Sequence, residues 1–206
     1  MKALLPSGGI VDHRFGILTA PNHKGVPIGI VEGMPWAVDL GVLDGPEWLK
    51  RFDPDVAFPW IDSMLKYRDT CLFVPVPDIY VDAKATIAAY LEWRDHMWPW
   101  SLAFIAQDGQ EDLDFPQCDG WTTLFVGGST EWKTSAAAVE CIKRAQALDK
   151  RIHVGRVNWG KRYKMFARLE GSEDFTYDGT RQRFDGIEKT ITAWAGYQAQ
   201  PPLFTV

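Results

Sequence analysis

Ser101-Leu102-Ala103-Phe104-Ile105-Ala106-Gln107-Asp108-Gly109 is a short run, apolar after its first residue, that stops on a carboxamide, a carboxylate and a glycine. A strand covered on both faces reads this way, as a continuous apolar stretch without alternation. The same signature recurs along the chain. Before it stand Gly16-Ile17-Leu18-Thr19-Ala20, Ile28-Gly29-Ile30-Val31, Trp36-Ala37-Val38-Asp39 and Leu72-Phe73-Val74-Pro75-Val76. After it stand Thr123-Leu124-Phe125-Val126, Ile152-His153-Val154-Gly155 and Phe175-Thr176-Tyr177-Asp178. Eight candidate strands result, each four to six residues long.

Helices fill several of the gaps. Asp82 is placed to cap a helix from Ala83 to about Met97, and Thr134 or Ser135 one from Ala136 to Leu148. Pro46 after Gly45 suits a first helical turn, and 161–169 and 186–197 read as further helices. The tail Pro201-Pro202 cannot continue one. Short parallel-type strands alternating with helices predict an α/β chain, a compact (β/α)8 TIM barrel forming a single domain over 1–206, with a doubly wound open sheet as the alternative.

Composition narrows the function classes. With 46% hydrophobic and 24% charged residues the chain is neither disordered nor collagen-like. Its apolar runs are too short for a membrane-spanning helix, and Met1–Pro6 is too short for a signal peptide. Cys71, Cys118 and Cys141 have no close spacing, so neither a disulfide framework nor a zinc knuckle is expected, and a reducing, cytoplasmic home is the default. The net charge is -5, but it is unevenly spread. Lys143 to Arg168 holds nine Lys/Arg against one acid, Asp149, a local charge of +8, leaving -13 on the rest. That is either a nucleic-acid footprint or a solvated helical face. Most of the ten tryptophans are expected in the core or as loop anchors, and some as platforms for bases.

In a barrel, chemistry gathers where the strands end. Reading those ends gives Asp39-Leu40-Gly41, Pro77-Asp78, Gln107-Asp108-Gly109, Gly127-Gly128-Ser129-Thr130-Glu131 and Asp178-Gly179-Thr180. Each has a plainer reading. Asp-Gly is a common turn pair, Asp39 and Asp78 can cap or start a turn, and Gly127-Gly128 can merely relieve crowding. His13, His23, His96 and His153 are scattered and read as structural or surface residues, with His23, after the first candidate strand, the one to watch. There is no phosphate loop, GxGxxG, HExxH or Gly-x-Ser-x-Gly element.

This ordered set of strand ends resembles the tRNA-guanine transglycosylase superfamily, and most closely the DpdA-type transglycosylases that put 7-deazapurines into phage or bacterial DNA. The resemblance runs from about Gly16 to Arg183. The family's Asp-Ser/Asn-Gly segment is here Asp39-Leu40-Gly41, and of its Phe-Asp pair only Asp78 remains. Val-Gln-Gly-Gly becomes Ala106-Gln107-Asp108-Gly109, and Gly-Gly-Leu with a nearby glutamate becomes Gly127-Gly128-Ser129-Thr130-Glu131. The last strand, with its DpdA-like Asp178-Gly179-Thr180, fits the family's nucleophilic aspartate. The zinc-binding cysteines of the tRNA enzymes have no counterpart. The shorter chain also leaves little room for tRNA-docking additions.

The resemblance implies guanine exchange for a 7-deazapurine through a covalent glycosyl-aspartate, with Asp178 as nucleophile and Asp39 as acid–base group. Asp78, Gln107, Gly127 and the backbone N–H of Gly128 would read the base. Arg151, Arg156, Lys161, Arg162 and Lys164 would hold phosphates. The expected partners are DNA, or alternatively tRNA, and a free 7-deazapurine base, with no cofactor, metal or membrane; an oligomer is possible. Two other readings stay open: a glycoside hydrolase using Asp39 and Asp178, and a non-catalytic barrel that binds nucleic acid or a partner.

Overall fold

The computed structural model describes residues 1–6, 11–21, 23, 25–40, 52–116, 120–158, 161–179, 189 and 192. Its strands are β1 (Lys2–Pro6), β2 (Gly16–Thr19), β3 (Trp36–Val38) and β4 (Cys71–Pro75), then β5 (Leu102–Ala106), β6 (Trp121–Val126), β7 (Arg151–Val154) and β8 (Thr176–Asp178). All neighbours pair in parallel, in chain order, and β8 returns to β1. The result is a closed (β/α)8 barrel.

Side-chain alternation divides the core in two. Leu4, Ala37, Phe73 and Ala103 fill the barrel's interior, with Leu18, Leu72 and Phe125 against them. The opposite faces of the same strands carry Leu5, Ile17, Trp36, Val38, Val74, Phe104, Leu124, Val126, Ile152 and Tyr177, which belong to a larger outer core. This double burial is why the strands read as unbroken apolar runs. The buried tryptophans Trp36, Trp100, Trp121 and Trp132 serve the outer core, while Trp98 is exposed.

The helices are α1 (Ile28–Val31), α2 (Pro54–Ser63), α3 (Ala83–Trp93), α4 (Thr130–Lys133), α5 (Ala136–Ala147) and α6 (Lys161–Phe166). Asp82 caps α3, its Oδ1 accepting from the Ala85 N–H at 2.9 Å; a 3-10 turn over Arg94–Met97 follows. Of the two candidate caps for α5, Ser135 is the one used, its Oγ accepting from the Ala138 N–H. The expected helix at 161–169 is α6, which is shorter. The expected turn at Pro46 lies outside the described residues, as do the tail and the helix over 186–197 apart from Lys189 and Thr192, which are helical.

Two strand expectations need correction. Ile28–Val31 is not a strand but the one-turn helix α1. Only Gly29 and Ile30 are buried there, while Ile28 and Val31 are 46% and 50% exposed, so the run lacks the two covered faces of a barrel strand. A short apolar run carries no period that separates helix from strand. The missing strand is β1, at Lys2–Pro6. Leu4 pairs with Gly16 on one side and Asp178 on the other, so β1 closes the barrel. One strand lost and one gained leave β3 to β8 in the expected order.

Candidate active site

β8 and β7 build the first part of the site. Thr176 and Asp178 share the inward face of β8, and His153 has the inward position on β7, in register with Thr176. The His153 ring is 0% exposed and sits 4.9 Å from the Phe73 ring and 4.5 Å from Phe125. Its Nδ1 meets Thr176 Oγ1 at 2.9 Å and its Nε2 meets Asp178 Oδ2 at 3.1 Å. A carboxylate only accepts, so Nε2 carries the proton of that contact. The other oxygen, Oδ1, accepts from the backbone N–H of Arg156 at 2.9 Å. Both oxygens of Asp178 are therefore oriented, while its side chain stays 15% exposed. Arg156 delivers its N–H from a left-handed backbone, φ 56°, a conformation that costs a non-glycine residue energy and clusters at functional sites.

β4 and β5 supply the second part. Gln107 is buried and its carboxamide serves two partners: Nε2 donates to Asp78 Oδ2, and Oε1 accepts from the Val81 N–H at 2.9 Å. Val81 is β-branched and has φ 61°, the second strained non-glycine backbone at this end of the barrel. Burial pushes the Asp78 carboxyl up to about 7, with the nearby Asp39 charge adding to the effect and the Gln107 hydrogen bond opposing it. Gln107 thus holds Asp78.

β6 ends in the third part. Asp108 accepts from the Ser129 N–H at 2.7 Å and from Ser129 Oγ at 2.6 Å, and Ser129 Oγ accepts from the Trp132 N–H to start α4. The two glycines are sterically required. A Cβ on Gly127 would lie 2.7 Å from Ile105 Cγ2 and 2.8 Å from Gln107 Nε2. Gly128 has φ 75°, and a Cβ there would meet Asp108 Oδ1 at 2.6 Å. Glu131 points to solvent.

Two adjoining cavities open at these strand ends, and neither Asp78 nor Gln107, both buried, is among the residues that line them. One, of about 180 Å³, is lined by Leu18, Asp39, Tyr80, Phe125, Gly127 and Gly128, together with Lys133, Gly155, Arg156 and Asp178. The other, of about 450 Å³, shares Leu18, Asp39, Arg156 and Asp178 and adds residues of the β1 and β2 ends. Asp39 and Asp178, 139 positions apart in the chain, thus face common space. The larger cavity is of the size that small-molecule sites have, roughly 300–1,000 Å³.

Lys133 and His153 are the residues that sequence reasoning missed. Lys133 is 4% exposed, and its Nζ donates to the Gly155 carbonyl at 2.7 Å. Burial lowers its pKa to about 8, against the opposing pull of Asp178. In the chain it follows Thr130-Glu131-Trp132 and looks solvent-facing. The strand register carried a signal for His153, since it shares parity with Gly155 as Thr176 does with Asp178.

The basic residues do not form one patch. Arg156 lines both cavities, and Arg162 Nη1 donates to the Arg156 carbonyl at 2.9 Å. Lys164 is exposed on the same helix, α6, which Lys161 opens. Arg151 stands at the start of β7, at the opposite end of the barrel from Asp178. There it lines a separate cavity of about 600 Å³ with Lys2 and Lys150 and the acids Asp149, Glu173 and Asp174. Arg144 is turned to the carbonyls of Glu111 and Leu113. Of the other expected positions, Gly41, Thr180 and Cys118 lie outside the described residues.

Among the described residues no group of three or more His, Cys, Asp or Glu side chains is arranged to hold a metal ion, and no helix is long and apolar enough to cross a membrane. No family model matches the chain, no curated protein is significantly similar to it, and no solved structure matches it.

Proposed function

We propose that the chain is a base-exchange transglycosylase that replaces guanine in nucleic acid, DNA in the first instance, with a 7-deazapurine. The observation that carries the reading is the shared cavity of Asp178 and Asp39 at the carboxyl ends of the strands. Breaking the bond from C1′ to N9 gives the sugar oxocarbenium character, as in glycoside hydrolysis. Asp178, held by His153 and the Arg156 N–H, is the carboxylate that traps C1′ as a glycosyl ester. Asp39, across the cavity, gives the departing purine its proton and takes one back from the incoming base, after which the ester bond to Asp178 breaks.

The rest of the site suits a purine. Gly127 and Gly128 put backbone, not side chain, against the cavity, so a flat ring can come close and the Gly128 N–H can donate to it. By the resemblance, Asp78, fixed by Gln107, reads the edge that carries N1–H and the 2-amino group, although it lies buried behind the lining of both cavities. The target nucleotide has to leave its stack to enter; Arg156 lines the cavities with positive charge, Arg162 is bonded to its carbonyl, and Lys164 is exposed on the same helix as Arg162.

The test is exchange of labelled guanine out of DNA and out of tRNA, in the presence of free guanine or a 7-deazapurine. Mass spectrometry of the nucleosides from both polymers accompanies it. Exchange by the wild type that is lost in Asp178→Ala supports the proposal. Exchange retained by Asp178→Ala removes Asp178 as nucleophile. Release from tRNA alone moves the substrate from DNA to tRNA. Hydrolysis of simple glycosides without base exchange favours the glycoside-hydrolase reading.

A further inference from the structure

Lys133 is a buried cation in the smaller cavity. An ammonium has three donors, and Lys133 uses one, on the Gly155 carbonyl. It shares the cavity with Asp178 and feels its charge, yet no ion pair joins the two. Arg156 and Arg162 add repulsion, and Asp108 a weak attraction. Keeping an ammonium here costs stability that a methionine of similar length would not. A buried cation and a carboxylate that line one cavity without touching leave room for a ligand between them. Such a ligand would be electrophilic towards the carboxylate and electron-rich towards the amine. A nucleoside attacked at C1′ by Asp178 has that polarity, because the purine takes the C1′–N9 electron pair as it departs.

We propose that Lys133 is a catalytic residue of the transglycosylase reaction, holding the acceptor atoms of the purine and the negative charge that builds on it as the C1′–N9 bond breaks. The inference rests on the base-exchange reading above. The electron pair of the C1′–N9 bond passes to the purine while an oxygen lone pair of Asp178 forms the new bond to C1′. Lys133 keeps its proton throughout; Asp39 protonates the purine. In the second half the incoming base gives its N9 proton to Asp39, its anion is held by Lys133, and its attack on C1′ returns the Asp178 carboxylate. The pocket therefore favours purine-like bases that can carry negative charge on the ring.

The experiment compares wild type, Lys133→Met and Lys133→Arg on two DNA oligonucleotides, one releasing labelled guanine and the other 7-methylguanine. The second base is cationic in DNA and departs neutral, so it needs no positive charge to receive it. Guanine release by Lys133→Met is expected to fall about 100-fold, with KM for DNA little changed and with partial recovery in Lys133→Arg. Release of 7-methylguanine is expected to fall far less in Lys133→Met, by no more than the few-fold that one lost hydrogen bond costs. An equal loss on both substrates, or no loss on guanine, overturns the proposal. A pH profile on guanine gives the same decision without the methylated base. The wild-type rate should fall above about pH 8, where Lys133 loses its proton, and the Lys133→Arg rate should persist. Parallel falls overturn the proposal. A wild type that releases neither base overturns the transglycosylase reading itself.

Discussion

His153 Nε2 lies 3.1 Å from Asp178 Oδ2, and the histidine ring making this contact is fully buried between Phe73 and Phe125. A nucleophilic carboxylate attacks well only if one oxygen is aimed at the sugar carbon, and packing on both sides of the ring fixes that aim. His153→Phe keeps the ring volume but leaves Oδ2 without its donor. Base exchange is expected to drop about 10- to 100-fold, as when an outer partner of a reacting group is removed, while the far-UV spectrum stays native. Thr176→Val, which removes the partner of Nδ1, should show a smaller loss in the same assay. Wild-type exchange rates in a folded His153→Phe protein would end the positioning role.

Gly127 offers a steric test of the pocket. Its missing side chain leaves room for Gln107 Nε2, 2.8 Å from where a Cβ would stand, and through Gln107 for Asp78. Gly127→Ala must displace Ile105 or the carboxamide. A cost of about 1–3 kcal/mol in thermal or denaturant unfolding is expected, as for other overpacked interiors. Guanine binding should weaken as well, since Asp78 loses its holder. Calorimetric binding of free guanine to both proteins reads the second effect, and unchanged affinity would separate Gln107 from base recognition.

The division between what can and cannot be read from the chain follows from where each constraint resides. β2 to β8 are legible because a barrel strand is apolar on both faces, so burial is written into consecutive residues. Leu102 to Ala106 is the clearest case. Asp39, Asp178 and the Gly127-Gly128 pair are legible because a barrel turns strand ends into a ring, so linear order gives spatial proximity. α1 is misread because four apolar residues carry no period. His153 needs the register of β7 against β8 before its neighbour 25 residues away can be seen. Lys133 needs more still. It sits on a four-residue helix whose polar sequence points to solvent, and only the closure of the β6 and β7 ends over it makes it buried. The basic stretch from Lys143 to Arg168 looks like one patch when charge is counted along the chain, whereas α5, β7 and α6 carry it to different sides and opposite ends of the barrel.

Asp78 links the site to stability. Its carboxyl is pushed from 3.8 to about 7 by burial, so in the folded state it holds a proton that the unfolded chain has already released by neutral pH. A raised carboxyl pKa gives stability that is complete below pH 4 and lost as pH climbs towards 7. Asp78→Asn keeps an acceptor for Gln107 and has nothing to ionise. The variant should be more stable than wild type at pH 8, by on the order of a few kcal/mol, and no more stable at pH 4. Melting temperatures across that range decide it, and a difference that does not depend on pH would show that Asp78 is not ionising against its burial.

The split of the basic residues between the two ends of the barrel makes a prediction about nucleic acid. Arg162 reaches the Arg156 carbonyl beside the cavities, whereas Arg151 opens β7 at the far end. Only the first end holds Asp178, so only there can a phosphate backbone lie while one of its nucleotides is in the pocket. Removing a side chain that neutralises one phosphate weakens binding and lowers the dependence of log Kd on log salt by about one unit. Arg162→Ala, and separately Lys164→Ala at the exposed position two residues on, should show both changes with an oligonucleotide in fluorescence anisotropy at salt concentrations from about 50 to 200 mM, over which such a slope is resolved. Arg151→Ala should bind as wild type does. If Arg151→Ala is instead the variant that weakens binding, the nucleic acid runs past the other end of the barrel and cannot be presenting a base to Asp178.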